Sequence, residues 1–330
     1  MEVPTGAIPY IENQWSHHEF VTAVQPQYAL VKITTARALH DEYGETADSY
    51  YGEDTKVITT TTITDSTLNL LSWEKEFDIV HDFDPAFHIP CDYSTYEDAD
   101  PEERTENVSN YLEGTITMQR WLREASSETQ ILPLIKGVTD EERDRAVATL
   151  EPHEFPGYVF YGTQYFTSGD GILINELVAD VTATTRGHDR PLLLIGCLSP
   201  NFLQRMPRQV VAGSGVQRWR MHIKPRKQEP AEMREAWAEL RGEVSTALAA
   251  PPETESESGS QPPAQAQPQP QQTKTAEDSD TPPTETTPLS TFATRDDADA
   301  DADADTTDSQ EESPTASPTD KPETESGSGD

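Results

Sequence analysis

The feature that most constrains this chain is an alternation of short, β-rich apolar runs with longer helical runs between residues 28 and 223. The order strand, helix, strand, helix is typical of βα units around a parallel sheet. The runs at 131–135 and 192–195 do not alternate between apolar and polar residues, as expected of strands covered on both faces. Strands are predicted at 28–33, 57–64, 77–81, 86–90, 131–135, 158–161, 192–196 and 216–223.

Helices are predicted between and after these strands. The segment 101–124 begins with proline and acidic residues and carries apolar side chains near one stripe. Thr139 and Glu142 form a capping-box motif that starts a helix running to about residue 150. Further helices are predicted at 171–186 and, with an amphipathic pattern, at 230–249.

This order of elements predicts an α/β fold, namely a (β/α) TIM-like barrel that is either complete or incomplete. A doubly wound open sheet is the alternative, although the sequence has no GxGxxG or Walker motif for nucleotide binding. We expect the barrel to span 28–228, with an N-terminal extension at 1–27 and a C-terminal helix at 229–250.

Composition sets residues 251–330 apart from the rest. They carry 20 acidic and 3 basic residues, are rich in Pro, Ser and Thr, and contain almost no large apolar side chains. Such a segment cannot bury enough surface to offset the loss of chain entropy. A disordered acidic tail is therefore predicted.

The chain as a whole is strongly acidic, with 60 acidic and 24 basic side chains in 330 residues. This excess predicts a halophilic protein, because molar salt screens the self-repulsion of an acidic surface. No bilayer-length apolar stretch and no signal-peptide pattern is visible, so we expect a soluble cytoplasmic protein. Cys91, Cys197 and the histidines show no ligand spacing, so neither a metal nor a cofactor is expected.

Polar or glycine residues follow several predicted strands, at the end of a barrel where enzymes gather their reactive groups. The sequence places Asp65-Ser66, Asp92, Lys136-Gly137 and Tyr161-Gly162 at such positions. Each also has a plainer interpretation: Asp65 as a helix cap, Asp92 as a turn residue, and Lys136 as a surface lysine beside a helix.

Further motifs occur in order along the chain. They are Glu103-Arg104-Thr105, an apolar strand ending in Gly and followed by an Asp-Glu-Glu-Arg helix between 135 and 145, Phe155-Pro-Gly-Tyr158, and a Leu-Ile-Gly run ending at 196. In order and spacing, from about residue 64 to 226, they resemble the tRNA-guanine transglycosylases and, more loosely, viral enzymes that place 7-deazaguanines into DNA. The resemblance implies exchange of guanine for a 7-deazaguanine at C1′ in DNA or RNA, in a protein encoded by an archaeon, a virus or a mobile element.

By this resemblance, Asp65 corresponds to the family's early acid/base or nucleophilic Asp, and Asp92 to the Asp that reads the base. Lys136-Gly137 and Tyr161-Gly162 correspond to loops that hold the base, with Lys136 and Tyr161 as departures from the family pattern. The segment 215–226 departs further, because it contains no acid where the family has its nucleophile, and the zinc-binding cluster is missing. Either another carboxylate supplies the nucleophile, or the chain is a non-catalytic relative that binds nucleic acid or a partner enzyme.

Basic residues are concentrated between 201 and 228, where there are 7 bases and no acids. We predict that this basic segment contacts a phosphate backbone of DNA or RNA, with Arg218 and Arg220 on one face of a strand. Pairing with acids of the same chain, with a second copy of the chain or with a partner protein, and a solvated face, remain alternatives. Its members are Arg205, Arg208, Arg218, Arg220, Lys224, Arg226 and Lys227.

Overall fold

The computed structural model describes residues 2–95, 99–166 and 173–250. The predicted tail at 251–330 lies outside these residues. The described chain contains a sheet of eight parallel strands. They are β1 (Gly6–Ile11), β2 (Tyr28–Lys32), β3 (Lys56–Thr60), β4 (Phe87–Ile89), β5 (Gln130–Ile131), β6 (Tyr158–Tyr161), β7 (Leu192–Ile195) and β8 (Val210–Gly215).

The sheet has the strand order β5-β4-β3-β2-β1-β8-β7-β6. Strands that follow each other in sequence are therefore neighbours in the sheet, apart from β5 and β6 at its two edges, and β1 joins the two halves by pairing with β2 and β8. At the remaining edges, Leu134 forms a parallel bridge with Val159, flanked by bonds of 2.8 Å from Val159 N–H to Pro133 O and from Ile135 N–H to Val159 O. The sheet curls into a TIM-like (β/α) barrel whose edges meet at this narrow seam, so the predicted barrel is confirmed and the open sheet is not formed.

Helices alternate with the strands and cover the outside of the barrel, as the burial of both strand faces requires. They are α1 (Trp15–Val24), α2 (Ile33–Tyr43), α3 (Ala47–Tyr51), α4 (Asp65–Leu68), α5 (Trp73–Phe83), α6 (Pro101–Glu124), α7 (Asp140–Leu150), α8 (Ile174–Thr185), α9 (Pro200–Leu203), α10 (Gln217–Ile223) and α11 (Pro230–Ala249).

The predicted helices at 101–124, 139–150 and 230–249 are confirmed as α6, α7 and α11. Local sequence signals fix the starts of α6 and α7. Asp100 accepts the amide protons of Glu102 and Glu103 at the start of α6. At α7 the Thr139 hydroxyl and the Glu142 carboxylate form the expected reciprocal cap. No helix within the described residues is both long and apolar enough to cross a membrane.

Two predicted strands are wrong. Residues 77–81 lie in α5, which begins after a Ser72 cap and buries Glu76, Val80 and Phe83 on one face. Residues 216–223 include α10, in which Trp219 and Ile223 are buried at a spacing of four while Met221 is exposed. This spacing is helical, so Arg218 and Arg220 do not share the face of a strand.

The expected N-terminal extension at 1–27 is also wrong, because residues 6–24 form β1 and α1 of the barrel. The predicted strands leave out β1 and β8. Pro9 within β1 and the small residues of β8 weakened the strand signal in the sequence. The C-terminal helix α11 packs against α1, β1 and α9, so it belongs to the helical layer of the barrel.

Candidate active site at the carboxyl ends of the strands

Strand register identifies the side chains that face the barrel interior. His88 on β4 faces outward, because its Nε2 lies 2.8 Å from Oε1 of Glu76 on α5. Its pairing partner Thr59 faces the same way, so the next residue, Thr60, faces the interior together with its partners Lys32 and Ile89. Lys32 thus ends β2 on the inner side at the carboxyl end of the barrel, a position that the sequence analysis did not single out.

The other half of the barrel is assigned in the same way. Gly213 of β8 lies directly against Leu203 of α9, so it faces outward and Ser214 faces the interior. Tyr161 faces inward as well, because Tyr161 pairs with Ile195 and Ile195 pairs with Ser214. We call Lys32, Thr60, Tyr161 and Ser214 the barrel mouth. Ser214 is fully buried, and within the described residues its hydroxyl has no hydrogen-bond partner.

Asp92 and Lys136, both predicted site residues, form an ion pair between the loops that follow β4 and β5. Each side chain is only 14% exposed. The Asp92 carboxylate also accepts the Tyr93 amide at 2.9 Å, and the Lys136 ammonium donates to the Tyr93 carbonyl at 2.8 Å. The ammonium lies 5.9 Å from the ring centroid of Tyr111. The structure therefore brings Asp92 and Lys136 together in a mostly buried site in which their charges neutralise each other.

Asp65 lies next to this pair, on the loop that follows the neighbouring strand β3. It is the exposed first residue of α4, after the N-cap position occupied by Thr64. Its Oδ1 accepts a hydrogen bond of 2.6 Å from the Ser94 hydroxyl, two residues beyond Asp92. The two aspartates predicted as catalytic thus flank one loop at the carboxyl end of the barrel.

The turn that carries Asp92 is held by a buried network behind it. Cys91 adopts a left-handed conformation with φ of 53°, and its amide donates to Glu76 Oε1 at 2.7 Å. The same oxygen contacts His88, whose Nδ1 lies 2.8 Å from the Thr59 hydroxyl. Burial, with a further contribution from Glu76, raises the pKa of the Cys91 thiol well above its usual value. Cys91 is therefore a turn residue that stays protonated, which is unsuitable for a nucleophile.

Gly137 occupies a position that leaves no room for a side chain, and Gly162 occupies one where a Cβ would fit only tightly. Gly137 has φ of 131°, and a Cβ there would lie 2.6 Å from the Cβ of Glu142. Gly162 continues the ladder beyond β6 by donating its amide to Ile195 O at 2.8 Å, and a Cβ there would lie 3.2 Å from the same oxygen. Both glycines bring their loops close to neighbouring backbone.

Glu142 organises the loop that contains Gly137. Its carboxylate accepts the amides of Val138 at 2.7 Å and Thr139 at 3.1 Å, and it pairs with Arg104 at 2.9 Å. Burial alone would raise the pKa of Glu142, but the hydrogen bonds from Arg104 and the two amides lower it overall. These contacts join α6 to α7 and fix the loop that contains Gly137.

A third carboxylate reaches the carboxyl end of the barrel from β1, and sequence analysis missed it. Glu12 follows β1, and its Oε2 lies 3.8 Å from both Arg220 of α10 and Nε2 of His17. The Glu12 amide donates to His17 Nδ1 at 2.9 Å. Burial, together with nearby Arg220 and Arg226, lowers the pKa of His17 to about 4. A carboxylate therefore stands beside the segment 215–226, which has no acid of its own.

The basic segment does not form one surface. Arg208 precedes β8 at the amino end of the barrel, whereas Arg218, Arg220, Lys224, Arg226 and Lys227 follow β8 at the carboxyl end. Arg205 lies between α9 and β8 and donates to Asn175.

Several of these arginines contact acids of the same chain. Arg208 pairs with Asp189 at 3.0 Å and Arg218 with Glu243 at 3.4 Å, while Arg220 lies near Glu12. Such exposed pairs contribute little to stability and are easily exchanged for another anion.

The fold and site define this chain as a TIM-like barrel protein with carboxylates and a lysine gathered at the carboxyl ends of its strands. A scan against protein-family models gives no match, and a search of curated proteins finds no significant relative. Within the described residues, no group of three or more His, Cys, Asp or Glu side chains could hold a metal ion.

Proposed function

We propose that this chain is a pentosyltransferase that exchanges guanine for a 7-deazaguanine at C1′ of a nucleotide in DNA or RNA. The observation that supports this proposal is the placement of Asp65 and Asp92 on the loops after two neighbouring strands, linked through Ser94 and backed by Lys136. Reactive groups of barrel enzymes are gathered at this end of the sheet.

The reaction needs one carboxylate at C1′ and a second group that gives a proton to the departing base and takes one from the incoming base. When the bond from C1′ to N9 of guanine breaks, one carboxylate adds to C1′ or stabilises the sugar cation, and the departing guanine takes up a proton at N9. The incoming base then loses its N9 proton as the new bond to C1′ forms. The two steps balance, so no oxidant, reductant or nucleotide triphosphate is consumed.

The geometry suggests how the roles divide. Asp65 is exposed and is our candidate for the nucleophile or acid/base. Asp92 is nearly buried and paired with Lys136, so it suits recognition of the hydrogen-bond donors on a purine edge. Tyr161 at the barrel mouth can pack against the base, while Gly137 and Gly162 shape the neighbouring loops by letting them approach Glu142 and Ile195 closely.

Base exchange tests the proposal directly. Wild-type protein in 2 M KCl, a concentration of about the order that screens an acidic surface, is incubated with radiolabelled guanine and either DNA or RNA, and label in the polymer is counted. We expect incorporation by the wild type, a loss of at least about 100-fold in Asp65→Asn, in line with the removal of a catalytic group, and a raised guanine KM in Asp92→Asn.

The control for these variants is Asp54→Asn, an exposed acid in the loop before β3 at the opposite end of the barrel. It should exchange guanine at the wild-type rate. Absence of incorporation into every DNA and RNA tested with folded wild-type protein would contradict the proposal. Equal incorporation by Asp65→Asn and wild type would remove Asp65 from the chemistry.

A non-catalytic role is the second candidate, because the segment 215–226 has no acid, and Arg218 and Arg220 already contact acids of the chain. In that role the carboxyl end would bind DNA, RNA or a partner enzyme without reaction. A folded protein that retains DNA or RNA on a filter but exchanges no guanine would favour it, and binding should fall steeply with salt.

A further inference from the structure

A cleft of about 470 Å³ opens at the end of the barrel opposite the candidate active site. It lies between α11 and the first residues of β1, β2 and β8, namely Gly6, Tyr28 and Val210. Its volume is within the range of small-molecule sites, which is roughly 300–1,000 Å³. The proposed base exchange makes no use of this cleft.

The charge of the cleft is opposite to that of the whole chain. Acids outnumber bases by 60 to 24 in the sequence, yet the described residues that line the cleft include two arginines, Arg208 and Arg241, and no acid. The arginines come from different elements, Arg208 from the loop before β8 and Arg241 from α11. An anion between them would meet two guanidinium groups.

The wall of the cleft also contains an apolar surface. Trp237, which is only 4% exposed, forms part of it. Val210 and Leu248 supply apolar surface, and Ser245 adds a hydroxyl.

Two acids lie beside the cleft: Glu2, which accepts the Tyr28 hydroxyl at 2.9 Å and pairs with Lys56, and Asp189, which contacts Arg208 at the rim. Asp189 pairs with Arg208 at 3.0 Å, but both side chains are largely exposed, at 87% and 79%. An exposed pair of this kind is weak, so a bound anion can replace Asp189 as the partner of Arg208. Removing the Asp189 charge should therefore favour the ligand.

We propose that this cleft binds a small organic anion, with its carboxylate, phosphate or sulfonate group between Arg208 and Arg241 and its apolar body against Trp237, Val210 and Leu248. The proposal does not depend on the proposed function, because the cleft and the candidate active site lie at opposite ends of the barrel.

The test uses two fluorescent probes of similar shape. One is the anion 8-anilinonaphthalene-1-sulfonate, and the other is its uncharged counterpart N-phenyl-1-naphthylamine. Each is titrated into the full chain at the lowest KCl concentration at which circular dichroism shows it folded, since salt screens exposed arginines. We expect the anionic probe to bind more tightly, with energy transfer to it from tryptophan that decreases in Trp237→Phe.

Charge variants distinguish binding of the anionic probe in the cleft from nonspecific binding elsewhere on the protein. Arg241→Gln and Arg208→Gln should each raise the Kd of the anionic probe about fivefold, as expected for a charge-assisted contact at a partly exposed site. Asp189→Asn should lower it about twofold, and Arg241→Lys should bind more tightly than Arg241→Gln. Arg37→Gln, which removes an exposed arginine of α2 paired with Asp41, is the control and should leave the Kd unchanged.

Three results would overturn the proposal. The first is equal Kd values for the two probes in the wild type. The second is a Kd for the anionic probe that is the same in Arg241→Gln, Arg208→Gln and Arg37→Gln. The third is energy transfer that Trp237→Phe does not alter.

Discussion

Lowering the pH from 7 to 5 should destabilise the fold through His17, and the structure gives the size of the effect. His17 is fully buried and packs against Trp219, with ring centroids 4.7 Å apart. Its Nδ1 accepts the amide proton of Glu12, so protonation of Nδ1 would replace this bond with two opposed N–H groups. Burial and the charges of Arg220 and Arg226 act in the same direction and lower the pKa of His17 to about 4.

The direction of the pH effect on stability follows from the pKa of His17 in the unfolded and in the folded chain. The unfolded chain binds a proton near pH 6.5 and the folded chain only near pH 4, so between these values the unfolded state holds more protons. The stability associated with neutral His17 is therefore complete above about pH 6.5 and is lost as the pH falls toward 4. Between pH 7 and pH 5 the loss from this one group is about 2 kcal/mol.

Urea unfolding at constant KCl, followed by tryptophan fluorescence, measures this loss. The wild type is compared with His17→Gln, whose amide oxygen can still accept the Glu12 N–H but does not titrate. Carboxylates that do not contact His17 are shared by the two proteins, so their contributions cancel in the difference between the two pH dependences; Glu12, 3.8 Å from Nε2 of His17, is the exception. We expect the wild type to lose about 2 kcal/mol more than the variant between pH 7 and pH 5. Identical pH dependences, or a His17 ring proton that titrates near pH 6.5 in the NMR spectrum, would refute the reasoning.

Three further predictions concern backbone fit, buried hydrogen bonds and thiol reactivity. Gly137→Ala should lower the free energy of unfolding by about 2–4 kcal/mol, because its positive φ and its contact with α7 exclude a Cβ, whereas Gly187→Ala, which faces open space, should change it by less than about 1 kcal/mol. Equal urea midpoints for the two variants would contradict this account. Glu76→Ala should cost about 3 kcal/mol, because it leaves the His88 ring and the Cys91 amide without their acceptor, and Glu74→Ala on the exposed face of α5 should cost less than about 0.5 kcal/mol; a small loss in both would show that the buried network is dispensable. Both thiols are buried, and burial raises the pKa of each, so neither should react with Ellman's reagent at pH 8 until urea unfolds the chain; fast reaction in the folded state would contradict their burial.

Local signals explain which elements could be predicted from the sequence. The helix at 101–124 was predicted with its observed bounds because proline and acidic residues begin it and a periodic apolar stripe runs along it. The strand β8 was missed because only its first two residues, both Val, favour a strand, whereas the following Ala-Gly-Ser-Gly does not. It becomes a strand by pairing with β1, which is distant in sequence, and with β7, from which α9 separates it.

The residues of the candidate site were also predicted only in part. Asp92 and Lys136 were recognised because each follows an apolar run, and they meet because β4 and β5 are neighbours in the barrel. Lys32 and Ser214 were missed because the face on which they lie depends on strand register, which the sequence does not display. Glu12 was missed together with β1 itself. The alternation of strands and helices was thus accessible from the sequence, whereas the first and last strands and the inward or outward direction of single side chains were not.

The position of β1 between β2 and β8 has a consequence for synthesis on the ribosome. The first strand is complete at Ile11, but its partner β8 begins only at Val210. At roughly 5–20 residues per second, about 10 to 40 s separate the two. Throughout that interval β1 exposes an unpaired strand edge, which is a template for association with other nascent chains. The burial of that edge awaits the arrival of β8, so translation speed and chaperone supply should govern the yield of folded barrel more than the strength of any single contact within it.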